Sequence, residues 1–243
     1  MNKDLIGGEF LWAIGGRIEN KYALKDTTVY HIDVDEWYSS QNGELAPMSH
    51  AVQGAGWTFF CNKIYCFGAK TKPHKGCSPY LQVYDIEENE WQLYDKMPKP
   101  RSKLGKHYPV IDDQYVYFFG GDDEHGPASR VNWNWRYYLV NDEWDTTVGD
   151  APYTQSFPLP TFHKGWIYYS TGNTGNDPEQ NIYRGALNQR YNPKTDTWEV
   201  MTPCPIPTTD GSGDKWQEEL HFIGAGILMK CFIIQKFQII MVP

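Results

Sequence analysis

The sequence predicts an all-β fold that is built from one repeated unit. Tryptophans recur at spacings of 54, 53 and 54 residues, each after a short run of turn-forming residues, and they are Trp37, Trp91, Trp144 and Trp198. An apolar run that ends in small residues, such as "LWAIGG" or "VYFFGG", precedes each tryptophan and keeps nearly the same period. Gly (22) and Pro (16) are frequent, which favours many turns over long helices. Two markers that keep step along the chain indicate internal repeats.

Each repeat predicts four short strands, and the second repeat shows the pattern. "GWTFF", "IYCFG", "YLQVYDI" and "WQLYDKM" are rich in β-branched and aromatic residues, and turn residues separate them. A four-stranded unit cannot bury both of its faces alone, so neighbouring units must stack, and radial stacking gives a β-propeller. Because the small-residue marker returns once more as "LHFIGA" without a later Trp, we expect four full blades and a partial fifth.

The markers themselves have structural explanations. Small residues at the end of strand two allow a tight turn and a close approach to the neighbouring backbone. Asp and Asn in the acidic turn between strands three and four bond local backbone groups. A Tyr lies six or seven residues before each Trp, and these are Tyr30, Tyr84, Tyr138 and Tyr191. Each is expected on the strand that pairs with its Trp, so we expect all four Tyr–Trp pairs to pack between sheets.

These residues resemble the Kelch-repeat family. Its pattern is an apolar run that ends in Gly-Gly, then a Tyr, then a Trp, and often "MP" followed by Arg. Gly15–Gly16 and Gly120–Gly121 match the doublet, Gly68–Ala69 and Thr171–Gly172 are degraded forms, and "MPKPR" (97–101) matches the end of the repeat. The resemblance covers about residues 3–225 and implies the fold more specifically than the function.

The chain departs from that family in its number of repeats. Kelch propellers usually have six or seven blades, whereas this chain predicts repeats over 1–225 and an atypical tail over 226–243. The first repeat starts inside strand one, because "LIGGEFLWAIGG" aligns with "VIDDQYVYFFGG". Either the chain is a fragment of a larger ring, which we favour, or the tail closes a five-bladed ring. An open ring would expose a strand edge that needs a partner.

Composition excludes several classes of partner. Lys and Arg number 22 against 30 Asp and Glu, a net charge of −8, so we expect no nucleic-acid binding. The five Cys are scattered, which predicts neither a disulfide framework nor a metal site. The apolar C-terminal run is interrupted by Lys and Gln, so no membrane span is expected. The N-terminus lacks a signal-peptide pattern, which favours the cytoplasm while the compartment stays open.

The candidate binding site lies on one face of the propeller, called the loop face below. This face is formed by the 2–3 loops, which join strands two and three of a blade, and by the 4–1 connections, which join strand four to strand one of the next blade. Eight of the 22 Lys and Arg fall in two segments there, "AKTKPHKG" and "KMPKPRSKLGKH", and they predict a positive patch for a protein or an acidic peptide. The third 2–3 loop adds polar residues and two more Trp. The predicted partner-binding residues are Lys70, Lys72, His74, Lys75, Arg101, Ser102, Lys103, His107, His125, Arg130, Trp133 and Trp135. We expect Arg101 to contribute most, because its planar fork can bind a carboxylate twice.

An interaction module or scaffold is therefore the predicted function, and a carbohydrate-active propeller is the alternative. The Trp-rich third loop could bind a sugar. The family resemblance implies enzymes as well, because some Kelch-type propellers are sialic-acid epimerases or galactose-oxidase-like enzymes. No HExxH, GxSxG or phosphate loop occurs, and the seven His are spread singly. We therefore predict no catalytic residue, no metal and no cofactor, with an enzyme kept as the less favoured class.

Overall fold

The computed structural model describes residues 9–18, 22–72, 75–94, 96–105, 107–125, 129–174, 185–208, 212–216 and 219–223. These residues form antiparallel sheets, one for each predicted blade, and the all-β propeller prediction is confirmed. The tail 226–243 and the predicted first strand of blade one lie outside the described residues, so the domain boundary stays a prediction. Within the described residues, no helix has the length and hydrophobicity to cross a membrane.

Blades two, three and four each contain four strands, numbered here along the chain. Blade two contains β6 (Gly56–Phe60), β7 (Lys63–Phe67), β10 (Leu81–Asp85) and β11 (Glu90–Tyr94). Blade three contains β12 (Val110–Ile111), β13 (Tyr115–Phe119), β14 (Asn134–Tyr138) and β15 (Glu143–Asp145). Blade four contains β16 (Leu159–His163), β17 (Trp166–Ser170), β18 (Asn188–Asn192) and β19 (Thr197–Val200). Hydrogen bonding follows strand order in all three, as the four-strand pattern predicts.

The two ends of the described chain are less complete. Blade one contains β1 (Phe10–Ile14), β4 (Thr27–His31) and β5 (Glu36–Ser39), followed by a 3₁₀ turn at Ser40–Asn42. The fifth repeat is the hairpin of β20 (Ser212–Trp216) and β21 (Glu219–Ile223), which lies beside β16. Two further hairpins lie within 2–3 loops, β2 (Arg17–Ile18) with β3 (Tyr22–Ala23) and β8 (Lys70–Lys72) with β9 (Lys75–Cys77). The sequence pattern treated both of these segments as loops.

The recurring Tyr and Trp are cross-strand neighbours, as predicted for three blades, but in blade three the predicted Tyr138 lies opposite Glu143 and Tyr137 is the partner of the Trp. In blade three, Tyr137 lies opposite Trp144, and their ring centroids are 4.8 Å apart. The Tyr137 hydroxyl also donates to Asp142 (2.6 Å), a turn residue that adopts a left-handed backbone with φ of 56°. The same hydroxyl contact joins Tyr30 to Asp35, Tyr84 to Asn89 and Tyr191 to Asp196. Each Tyr thus stabilises its Trp partner and the turn that joins their two strands.

The blades pack through these aromatic residues, with one exception at blade one. Trp91 is buried and its indole donates to Thr27 of the preceding blade (2.9 Å). Trp198 likewise donates to the carbonyl of Gly149 (2.7 Å). Trp37 has 60% of its surface exposed, because no described residue lies where a preceding blade would cover it. The expectation that all four Tyr–Trp pairs pack between sheets is therefore wrong for Trp37.

Candidate functional site: the loop face

The loop face is held together by backbone hydrogen bonds between and within blades. The second residue of each small doublet donates to the 4–1 connection of its own blade, as Gly121 does to Gln155 (2.8 Å). The residue after each doublet pairs with the 4–1 connection of the preceding blade. Asp122, for example, exchanges two backbone hydrogen bonds of 2.9 and 2.8 Å with Ser102. Each 4–1 connection therefore fastens two blades together at this face.

This close approach explains why the doublets are small. Gly120 has φ of +70°, and a Cβ atom added to it would lie 2.1 Å from the carbonyl oxygen of Gln155. No side chain fits at that distance, so the sequence prediction of a close backbone approach is confirmed. Thr171 occupies the same position in blade four with φ of 60°, a conformation that costs a residue with a side chain some strain.

A charged cluster lies at the centre of the loop face between blades two and three. Lys103 forms an ion pair with Asp122, which is almost wholly buried. Burial lowers the pKa of Lys70, and the nearby Lys103 ammonium lowers it further, whereas Asp122 opposes the shift. Lys103 thus pairs with Asp122 while Lys70 lies close to both charges, and the other oxygen of Asp122 has no hydrogen-bond partner among the described residues.

Arg101 has a different environment from the one that its sequence context suggested. Its side chain is fully buried, and its guanidinium donates to backbone carbonyls of blade three, at Gly120 (3.0 Å), Phe118 (3.2 Å) and Trp133 (3.1 Å). Burial lowers its pKa to about 10. The planar fork therefore binds the neighbouring blade, and it has no exposed surface to offer a partner carboxylate.

The two Trp of the third 2–3 loop are also enclosed by neighbouring side chains. Trp133 and Trp135 stack with centroids 5.4 Å apart and planes inclined by 8°. The Arg101 guanidinium lies 4.0 Å from the ring centroid of Trp135, and the Lys99 ammonium lies 4.6 Å from that of Trp133. Trp135 is buried, so little of this ring stack is open to a sugar.

The remaining predicted residues occupy varied surroundings. Ser102 is buried beside Cys77, whose thiol lies 3.1 Å from the Ser102 hydroxyl. His125 is exposed and its ring contacts Asp123 (2.9 Å), which raises the pKa of the imidazole. Arg130 is half-buried and donates to Asn173 of blade four (3.0 Å).

His107 is exposed on the connection that leads into blade three. It lines an apolar groove of about 790 Å³ together with Trp12 of blade one, Trp57 of blade two and Phe157 of the connection that leads into blade four. His74 lies outside the described residues, and Lys72 and Lys75 are described only as backbone of the β8–β9 hairpin. The structure therefore brings together Lys70, Arg101, Ser102, Lys103 and Trp135, most of them below the surface.

The predicted set of partner-binding residues omits two members of this site, Lys99 of the basic 4–1 segment and Asp122 of the third 2–3 loop. Asp122 directly follows the Gly120–Gly121 doublet, as Lys70 follows Gly68–Ala69, so its position in the repeat was a usable signal. Among the described residues, no group of three or more His, Cys, Asp and Glu side chains has the arrangement of a metal site.

Comparison with known proteins identifies the repeats. Kelch-like protein 25 from Xenopus tropicalis is 27% identical over 191 residues, which are 76% of this chain and 29% of that protein. Kelch-like protein terF from Aspergillus terreus is 22% identical over 89% of this chain and 47% of its own length. Beta-scruin from Limulus polyphemus is 23% identical over 82% of this chain and 21% of its own length. The repeats of this chain are similar to those of Kelch proteins.

The Kelch relatives are longer than the matched region. The chain spans about a fifth to a half of the length of these three proteins, so their whole-protein activities do not transfer to it directly. No family model matches the chain. The Kelch assignment therefore depends on the relatives, the period of the markers and the four-stranded sheets.

Proposed function

We propose that this Kelch-repeat chain is a protein-interaction module whose loop face binds an acidic segment of a partner protein. The observation that carries the proposal is the charge imbalance at the centre of that face. Lys103 pairs with the carboxylate of Asp122 and Lys70 lies close to both groups, in a chain whose net charge is −8. A carboxylate from a partner would supply the missing negative charge.

The rim of the face supports the same chemistry. Lys96 and Lys99 are exposed on the 4–1 connection of blade two, and Arg130 is half-exposed on the 2–3 loop of blade three. These side chains can contact a partner without rearranging the buried cluster. We propose Lys96, Lys99, Lys103, His125 and Arg130 as the contact residues, and we assign Arg101 to the support of the face.

The rigidity of the face also favours binding. Its loops are joined by reciprocal backbone bonds such as those between Gln53 and Lys70, and between Ser156 and Asn173. A surface that is already ordered loses little conformational entropy when a partner binds. Positive charge on a preformed surface then mainly accelerates association, and salt should weaken that effect.

The test uses a deca-glutamate peptide as the probe and measures its association rate with the whole chain at low and high salt. In the double variant Lys99→Glu, Arg130→Glu, we expect the rate to fall by about tenfold at low salt. Lys164→Glu, Lys194→Glu is the matched control, because both of these lysines are exposed turn residues on the opposite side of blade four. Equal rates for the two double variants, or no binding by the unaltered chain, would reject the loop face as the acidic-peptide site.

A further inference from the structure

The β8–β9 hairpin on the loop face brings a lysine and a cysteine together. Lys70 and Cys77 lie directly opposite each other in the antiparallel register of this hairpin. Side chains at such opposite positions point to the same face, with their Cβ atoms about 5 Å apart. The amine and the thiol therefore extend from neighbouring points over the same part of the loop face.

Both side chains end among the same neighbours. The Cys77 thiol donates to the Ser102 hydroxyl (3.1 Å). Lys70 interacts electrostatically with Cys77, Lys103 and Asp122, and the Asp122 carboxylate also acts on Cys77. One oxygen of Asp122 has no hydrogen-bond partner among the described residues, so the cluster also contains an acceptor for a proton. The amine, the thiol and the carboxylate thus form one cluster.

The backbone holds this pair in place. Lys70 exchanges two backbone hydrogen bonds with Gln53 (2.8 and 3.1 Å), and the amide of Ser78, next to Cys77, donates to the Ala69 carbonyl (2.8 Å). Lys70 is only 7% exposed, so its side chain is confined to the cluster. Cys77 is half-buried, which leaves its sulfur accessible to an oxidant as small as hydrogen peroxide.

The protonation of the two groups sets the conditions for a reaction between them. Burial lowers the pKa of Lys70, and the Lys103 ammonium lowers it further, which favours the neutral, nucleophilic amine. Burial raises the pKa of the Cys77 thiol, whereas the Ser102 hydroxyl and the Lys70 ammonium oppose that shift. The thiolate is therefore a minor form near neutral pH, and oxidation of Cys77 requires an excess of peroxide.

We propose that Lys70 and Cys77 form a site of reversible oxidative modification, at which peroxide joins the two side chains through a sulfur–nitrogen bond. Hydrogen peroxide first oxidises the thiol to a sulfenic acid and is itself reduced to water. The lone pair of the Lys70 amine then attacks the sulfur. A sulfur–nitrogen bond forms, the sulfur–oxygen bond breaks, and the hydroxyl leaves with one amine hydrogen as a second water. A dithiol reverses the bridge, because it becomes a disulfide and returns two hydrogens to the amine and the thiol.

The bridge regulates the loop face, a consequence that rests on the proposed function. The Lys70 ammonium carries a positive charge, whereas the nitrogen of the bridge is neutral. Formation of the bridge therefore leaves Lys103 as the cation beside Asp122 and reduces the positive charge that attracts an acidic segment. At low salt, the oxidised chain should associate with such a segment more slowly.

The first experiment exposes the folded chain to excess hydrogen peroxide and maps its peptides by mass spectrometry. We expect Lys70 and Cys77 in one joined product, lighter by about 2 Da for the two hydrogens lost, and separated again by dithiothreitol. Lys70→Arg retains the charge but removes the amine, so Cys77 should stop at the sulfenic acid, which dimedone traps. Lys103→Arg is the matched control, because it makes the same change at the neighbouring ammonium and should retain the bridge.

Three results would overturn the proposed bridge. They are its absence from the unaltered chain, its equal loss in Lys70→Arg and Lys103→Arg, and a product lighter by about 2 Da that persists in Lys70→Arg. The last result would indicate a ring between the Cys77 sulfur and a backbone nitrogen. Circular dichroism spectra verify that both variants are folded.

The second experiment measures the association rate of the deca-glutamate peptide at low salt, before and after peroxide. The rate should fall about threefold for the unaltered chain and stay constant for Lys70→Arg. Equal responses of the two chains would overturn the regulatory role of the bridge. No peptide binding before peroxide would reject the proposed function, and the mass measurement alone would then decide whether the bridge forms.

Discussion

Replacing Arg101 with Met tests whether this side chain holds two blades together. The guanidinium donates three hydrogen bonds to backbone carbonyls of blade three and lies over Trp135. A hydrogen bond from a charged donor contributes about 1.5 kcal/mol at the low end of its range. A desolvated cation–π contact contributes about 2 kcal/mol.

The burial of the charge offsets part of this stabilisation. The lowering of the Arg101 pKa to about 10 corresponds to a desolvation cost of about 3 kcal/mol, which Met avoids. The free energy of unfolding should therefore fall by about 3 kcal/mol in the Met variant. Lys99→Met is the matched control, because Lys99 belongs to the same connection but is exposed, and its loss should cost less than about 1 kcal/mol.

The assay is urea unfolding followed by Trp fluorescence and circular dichroism. The urea concentrations at the midpoints of unfolding are compared between variants whose m values, the slopes of unfolding free energy against urea, are the same. A change below about 1 kcal/mol for Arg101→Met would refute the structural role. Arg101 would then return to the set of proposed partner-binding residues.

Two further predictions concern the repeat markers. Gly120→Ala should destabilise the chain by more than about 3 kcal/mol in the same urea assay, because the added Cβ would overlap the Gln155 carbonyl. Gly165→Ala is the control: Gly165 has φ of +79° but open space around it, so the change should cost only about 1 kcal/mol. Similar losses of stability in the two variants would contradict the close-approach argument. Burial and the bond to Asp142 raise the pKa of Tyr137, so the folded state holds this proton more tightly than the unfolded chain, and stability should decline as pH rises above about 10. Tyr137→Phe should lower the melting temperature at pH 8 and reduce its further fall at pH 11, and an unchanged alkaline fall would exclude Tyr137 as a contributor.

Much of the fold was predictable because the repeat markers are local. The Gly-Gly doublets, the acidic turns and the Tyr–Trp spacing each specify a short piece of backbone, and strand order follows from them. The burial of Arg101 was not predictable, because a sequence displays the charge but not the three carbonyls that bind it. The exposure of Trp37 escaped prediction for a related reason. Its sequence context matches that of Trp91, and only the presence or absence of a preceding blade distinguishes them.

The hydrogen bonds at the base of the third 2–3 loop make that loop replaceable. Asp122 and Arg130 pair across its base, and the amide of Val131 donates to the Gly121 carbonyl (3.0 Å), so both ends are held by the blade. Doubling the length of a flexible loop between fixed ends costs only about 0.6 kcal/mol. The intervening residues can therefore change in length and composition with little effect on the sheets, which makes this segment a natural position for grafting foreign binding loops and for the divergence of specificity among duplicated genes.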